Sequence, residues 1–300
     1  MCKFNKKLRN EILKNTNLSG FQKRSMQMRK VDKWSSRVDT IVSLTGAEKL
    51  EVHTLDDVTE TSRYKFMRFV YSPWLDPFKS DPRHKIKQYK ERENLVFMGD
   101  GDHIADFAGM RWYVSMVARE IDKGIPGVKL IVLGPNWDTF KDQYPSKSVE
   151  YYGAARSLEE QNSILDSARA YVCPIRASSG VNVNSVLAMG RSLPVITSPG
   201  GATGMCNICD KIITYNPMDP WSNETTSHVN SMPLLLARDI YEFSFQIKEV
   251  YYDEQKWLKY SSMAFAHVKT WFSKKEAARE LDDIFKGLLT VEKKAERTRK

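Results

Sequence analysis

No stretch of this chain reaches the roughly 18 consecutive apolar residues needed to cross a bilayer. The opening MCKFNKKLRNEILKN also lacks the apolar core of a secretory leader. Cysteine is scarce: Cys2, Cys173, Cys206 and Cys209. The single C-x-x-C pair, Cys206 and Cys209, has neither a second pair nor a histidine close by in sequence. That disfavours a zinc or dithiol site against free thiols in reducing surroundings. Absent too are His-Glu-x-x-His, the P-loop and Gly-x-Ser-x-Gly. Gly99-Asp100-Gly101 is not a dinucleotide fingerprint, because Ile104 stands where the third glycine belongs. Acidic residues are outnumbered, 37 to 46, for a net charge of +9. Much of the excess sits in residues 3–33 and 293–300. This suits anionic headgroups or phosphate-bearing substrates. Aromatics are not interleaved with basic residues along a strand, so a nucleic-acid partner is disfavoured.

What is present is a repeating β-α phrase. Asn94–Met98 reads as a strand ending at Gly99, followed by a helix to about Ile121. Val128–Leu133 and Val149–Gly153 read as further strands, and Ser157 with Glu160 as a capping box opening a helix to Ala168. Ala170–Ile175 is a short apolar run closed by Pro174 and Ile175. Val181–Arg191 follows as a helix with Val183, Val186, Leu187 and Gly190 on one face, and Leu193–Thr197 is the next strand. Lys211–Tyr215 reads as another. The pattern predicts a doubly wound parallel α/β sheet, Rossmann-like, with five or six strands. Gly99, Ser179 and Gly201 should then gather at one sheet edge, where ligands of such sheets bind. Ser178-Ser179-Gly180 fits either of two roles there. It caps the following helix, or it holds an anion at the helix N-terminus.

Before this core, residues 1–33 form a basic segment with a short amphipathic pattern at Phe4, Leu8, Ile12 and Leu13. Residues 34–93 contain one strand-helix phrase (Val38–Ser43, then Gly46–His53), a strand at Phe66–Tyr71 and a Pro-rich linker. Residues 94–232 make the sheet domain. From Pro233 the pattern is helical to near Leu289, within a C-terminal part, 233–300, that ends in a basic tail. Residues 1–93 are too poor in such phrases for a complete Rossmann domain. Trp257, Phe265 and Trp271 are therefore expected to expose an apolar surface.

The stretch Pro174–Met205 resembles the donor-binding, C-terminal half of GT-B glycosyltransferases of the family-four group, the glycosyl transferases group 1. Pro174, Arg176, Gly180, Val181, Ala188, Met189, Leu193-Pro194-Val195-Ile196 and Gly201-Ala202-Thr203-Gly204-Met205 carry the likeness. Asp102, His103, Arg111 and Trp112 add a first-loop variant, with Asp106 where that group has asparagine. Over about residues 34–290 the resemblance implies a GT-B C-terminal domain, a truncated N-terminal part and closing C-terminal helices. It implies a retaining hexosyl transfer from a nucleotide sugar, with no metal or other cofactor. The donor would be held by Gly101, His103, Ala155, Arg176, Ser179, Gly180, Asn182, Asn184, Thr203 and Gly204; no catalytic residue is singled out. Three departures stand out. Asn182 and Asn184 replace the group's two lysines, and Leu187 replaces the glutamate that holds the donor ribose. A binding or scaffolding protein without turnover, or the donor half of a two-chain transferase, are the other readings. A cytoplasmic chain, touching a membrane surface peripherally through its basic ends, fits all three.

Overall fold

The computed structural model describes residues 87–176, 181–205, 232–283 and 286, together with two short strands, β1 (Ile41–Ser43) and β2 (Tyr64–Phe66). β1 and β2 pair in parallel, Ile41 opposite Tyr64. The expected helix at Gly46–His53, the strand at Lys211–Tyr215, the Cys206–Cys209 pair and the basic ends lie outside the described residues.

The main sheet has six parallel strands in the order β5-β4-β3-β6-β7-β8. They are β3 (Leu95–Met98), β4 (Leu130–Leu133), β5 (Val149–Gly153), β6 (Ala170–Cys173), β7 (Val195–Thr197) and β8 (Leu235–Leu236). Every residue of the central β3 and β6 is buried, as strands covered on both faces must be. The chain winds outward from β3 through β4 to β5, then returns to lay β6 against the other side of β3. That reversal is the topological switch point, and the loops after β3 and β6 diverge there to leave a crevice.

The first helical stretch is longer than its sequence pattern indicates, and it is not uniform. Helix α1 (Ile104–Trp112) passes through a π-turn at Tyr113–Val117 into α2 (Ala118–Gly124). The wider turn keeps Tyr113, Val117 and Ile121, four residues apart, all buried. Helix α3 (Asp138–Gln143) follows β4. In α4 (Leu158–Ser167) the Ser157 hydroxyl accepts from Glu160 N, as the capping box requires. The Glu160 carboxylate, however, accepts from Arg156 N and the Tyr152 hydroxyl, one residue short of the reciprocal bond. Helix α5 (Val183–Gly190) begins at Asn182, whose Oδ1 accepts from Ser185 N at 2.9 Å.

One expectation fails beyond Pro233. Residues 233–239 are not helical: Leu235–Leu236 supplies the edge strand, pairing with Ile196 and Thr197. Helix α6 (Ile240–Tyr252) starts only at Asp239, whose carboxylate accepts from Glu242 N. Asp253 repeats the device to open α7 (Glu254–Trp271), and residues 274–283 form a last helix. Leucine runs serve β8 and helices equally well, so their pattern alone does not separate the two.

The closing helices are fastened through buried charge. Arg191, next to α5, makes a bidentate pair with Asp166 at the end of α4, both side chains 2% exposed. Arg92, fully buried, donates to the carbonyls of Leu165, Ala168 and Arg191. Arg169 donates to Arg92 O and to Tyr251 O, and its guanidinium lies 3.7 Å from the Tyr89 ring centroid. Trp257 is 3% exposed: it packs edge-on to Tyr89, lies under the Arg92 guanidinium and donates Nε1–H to Arg169 O at 2.7 Å. The expected exposed surface at Trp257 is thus overturned, because residues 89–92 and 169 cover it. Burial pushes the Arg92 pKa down to about 10, with Asp166 opposing the shift.

Candidate functional site

The crevice is built first by glycines. A Cβ on Gly101 would lie 1.9 Å from the Asn136 carbonyl oxygen, and one on Gly134 would lie 1.9 Å from the Gly99 oxygen. Gly134 also has φ +136° and Asn136 φ +66°. The loops after β3 and β4 therefore interlock backbone to backbone, and Gly101 N donates to Pro135 O at 3.0 Å. Asp100 ties the knot: its Oδ1 accepts from Asp102 N and from Asn136 Nδ2, both at 2.9 Å. Those two bonds, the backbone one first, hold its carboxyl below the usual range.

His103 caps α1 from this loop, with its side chain 61% exposed and Nδ1 3.3 Å from Asp106 Oδ1. The other oxygen of Asp106 accepts from Asp100 N at 2.9 Å. Asp106 thus orients the imidazole while being nearly buried itself. Burial raises its pKa, against the opposing Asp100 N–H bond and His103. A raised carboxyl means that the folded state holds this proton more tightly than the unfolded chain. Stability is then lost as pH climbs from the unfolded value through the folded one. Asp106→Asn keeps an acceptor for Asp100 N–H and removes this loss. The variant should be at least as stable as the parent at pH 7 in urea titrations, with the advantage gone below about pH 4.

Across the crevice, β6 ends at Cys173, and α1 crosses the following Pro174 so closely that a Cβ on Gly109 would sit 3.0 Å from Pro174 O. Arg176 follows, exposed, its guanidinium 5.4 Å from the Trp112 ring centroid. Asn184, at the start of α5, reaches back to donate Nδ2–H to Met98 O at 3.0 Å, bridging the switch point. The Tyr171 hydroxyl donates to the same carbonyl at 3.3 Å. Asn182 caps α5 and places Nδ2 3.6 Å from Cys173 Sγ. Both asparagines therefore use side-chain atoms to hold the helix in place. The first-turn donors left over are the N–H groups of Val183 and Asn184.

The third wall is the Gly-rich turn after β7. The Ser198 hydroxyl donates to Ile175 O and accepts from Gly201 N. A Cβ on Gly201 would strike Thr197 Oγ1 at 2.3 Å. Thr203 is buried, its hydroxyl donating to Gly200 O at 2.9 Å, and Gly204 has φ +74°. His267 Nε2 of α7 lies 2.7 Å from Met205 O, so a closing helix holds this turn.

Of the residues singled out from sequence, Gly101, His103, Arg176, Asn182, Asn184, Thr203 and Gly204 all lie on loops or a helix start at the C-terminal edge of the sheet. Ala155, half-buried, follows β5 at the same edge, two strands from the switch point. Ser179 and Gly180 lie outside the described residues. Gly99 and Gly201 do share that edge; the position of Ser179 is not described. Asp100, Asn136 and Ser198, which shape the crevice, were not among the expected site residues, and Trp112 was noted for its resemblance alone. Gly134-Pro135-Asn136 carried a turn signal that could have marked Asn136. Among the described residues no group of three or more His, Cys, Asp or Glu side chains is placed to hold a metal ion. No described helix is long and apolar enough to cross a membrane.

Residues 92–219 match the family model of glycosyl transferases group 1. No curated protein matches the chain in sequence. Among solved structures, the fold resembles a mutant S. aureus TarM in complex with fondaparinux, alpha-GlcNAc-glycerol and UDP. The TM-score is 0.58 and the identity 16%, over 85% of this chain and 46% of that one. It also resembles Anabaena HepE in complex with UDP-glucose (TM-score 0.60, 12% identity, 87% and 68% covered). A third is WaaG, a glycosyltransferase involved in lipopolysaccharide biosynthesis (TM-score 0.54, 12% identity, 81% and 62% covered). This chain spans less than half the length of TarM. The family match spans the β3 and β6 loops that make the crevice, and the described parallel sheet shares the fold of these structures: residues 92–219 are similar to the glycosyl transferases group 1.

Proposed function

We propose that the switch-point crevice binds a nucleotide-sugar donor and that the chain serves transfer of the sugar, with retention, to an acceptor. The supporting observation is that the family match and the crevice coincide, with an exposed Arg176 at the mouth. Arg176 would grip the diphosphate in a bidentate pair, its plane steadied by Trp112. The N–H groups of Val183 and Asn184, at the positive end of α5, would take a further phosphate oxygen. His103, oriented by Asp106, would meet a phosphate or a sugar hydroxyl across the crevice. Thr203 and Gly204 would border the donor sugar, and Gly153–Ala155 the base. As the glycosidic bond breaks, these groups would stabilise charge on the leaving diphosphate, with no metal in that role.

A second reading has its own support. Asn182 and Asn184 spend hydrogen bonds on the scaffold, and Leu187 is buried. In that reading the chain binds nucleotide without turnover, or supplies the donor half of a two-chain enzyme. The basic ends would supply any peripheral membrane contact.

Thermal shift against UDP, UDP-sugars and the other nucleoside diphosphates tests the binding step. A ligand at 100 times its dissociation constant should add about 2.7 kcal/mol. Arg176→Ala should then weaken that ligand by about 1.5–3 kcal/mol in titration calorimetry, with no loss of stability. A panel without any shift would remove the donor site. Product release from a UDP-sugar by the lone chain separates the first reading from the second.

A further inference from the structure

Helix α6 turns large aromatic side chains outward. Phe243, Ile247 and Val250 face the core, yet Tyr241, Phe245 and Tyr252 are 78%, 56% and 60% exposed. At about 100° per residue, positions 241, 245, 248 and 252 share one stripe roughly 60° wide down the whole helix. The fourth member is Lys248. Its stem lies over Gly124, where an added Cβ would meet Cε at 2.0 Å. The Tyr252 hydroxyl donates to Gly124 O at 3.0 Å, so α2 borders the stripe. That border adds the exposed Arg119 and Lys123, and the π-turn before it adds Met116, 47% exposed.

The charge on this face is lopsided. Glu120 bonds Lys123 at 2.7 Å, and that bond first, then the fields of Lys123, Lys248 and Arg119, hold its carboxyl low. Glu249 lies 3.6 Å from Lys256, whose ammonium is 5.4 Å from the Phe245 ring centroid. Arg119, Lys123, Lys248 and Lys256 thus outnumber Glu120 and Glu249.

We propose that this face is a docking surface for an anionic lipid bilayer. Rings with a polar tip settle at headgroup depth, and lysine stems reach past them to lipid phosphates. The stripe is a convex ridge on one helix, which a soft planar surface accepts. The excess of cations supplies the complement to an acidic leaflet, on a chain whose net charge is already +9. Its direction matters as well. Helix α6 leaves β8 at the C-terminal edge of the sheet and ends at Tyr252, and the carbonyl of the neighbouring Tyr251 is held by Arg169 at the opposite edge. The ridge therefore runs about 20 Å along the flank of the sheet. Docked this way, the crevice opens sideways along the headgroup layer, within reach of a substrate anchored there.

Co-sedimentation of the full chain with two vesicle types tests this: phosphatidylcholine alone, and phosphatidylcholine containing one third phosphatidylglycerol. The chain should pellet with the second and stay largely free with the first. Tyr241→Ser, Phe245→Ser and Tyr252→Ser combined should cut binding about tenfold or more, and Tyr241→Trp with Phe245→Trp should retain it. Lys123→Glu with Lys248→Glu, a separate variant at an exposed and a half-buried lysine, should cut it at least fivefold. Binding by both loss variants at the parent's level assigns the lipid contact to the basic ends and overturns the proposal. So does a lack of binding to either vesicle. A parent that is dimeric by light scattering, with a monomeric triple-serine variant, would make the ridge a contact between copies of the chain and overturn it too.

Discussion

Asp166→Ala should cost about 3–5 kcal/mol of folding stability, the usual effect of removing one partner of a buried ion pair. Asp166 and Arg191 are each 2% exposed and joined by two parallel hydrogen bonds. The pair is not isolated. Arg92 donates to Arg191 O, Arg169 donates to Arg92 O, and Trp257 of α7 bonds Arg169 O. Three guanidinium groups thus gather around one buried carboxylate, and its loss leaves Arg191 in low dielectric with no counter-charge. Asp166→Asn keeps the shape and one acceptor and should cost less than the alanine. Asp166→Ala combined with Arg191→Met should cost less than the sum of the two single changes, because the stranded charge is gone. Urea titration reads all four proteins. A loss below about 1 kcal/mol for Asp166→Ala would mean that the arginines are held by backbone carbonyls alone.

This lock shows where sequence reading stops. Strands β3, β4, β6 and β7 were legible because each is a short apolar run with a glycine or proline at or just past its end, a pattern fixed within a few residues; β8, only two leucines, was not. The Ser157 cap was legible for the same reason. Arg92, Asp166, Arg169 and Arg191 are spread over about a hundred residues, and each alone looks like an ordinary surface charge. Only the return of β6 to the side of β3 brings them together. Trp257 was misplaced on that account, since its cover comes from residues 89–92 and 169. The crevice was half legible. Glycines and the α5 start mark the loops, but which asparagine atoms remain for a ligand depends on bonds across the switch point. Asn184 to Met98 O spans 86 positions, and no local spacing signals it.

Leu187→Glu is the sharper test of the donor site. In the group that this domain resembles, a glutamate at this position holds the donor ribose. Here Leu187 is 8% exposed and belongs to the contiguous core, on a helix whose following turn is fixed to α7 by Ser261 Oγ donating to Ser192 O. A carboxylate introduced there without a partner should destabilise the fold by about 3 kcal/mol or more at pH 8. Burial would raise its pKa, so the loss should shrink as pH falls toward 5, where the neutral acid is tolerated better. Leu187→Met, close in volume, should cost under about 1.5 kcal/mol and separates packing from charge. Nucleotide affinity of the glutamate variant decides the rest. If the crevice stops short of Leu187, calorimetry should give the parent's affinity on the folded fraction. The donor must then be held by Arg176 and the α5 N-terminus without a ribose carboxylate. Tighter binding by Leu187→Glu, with no loss of stability, would instead mean that the pocket reaches the helix face and that leucine alone keeps it from gripping ribose.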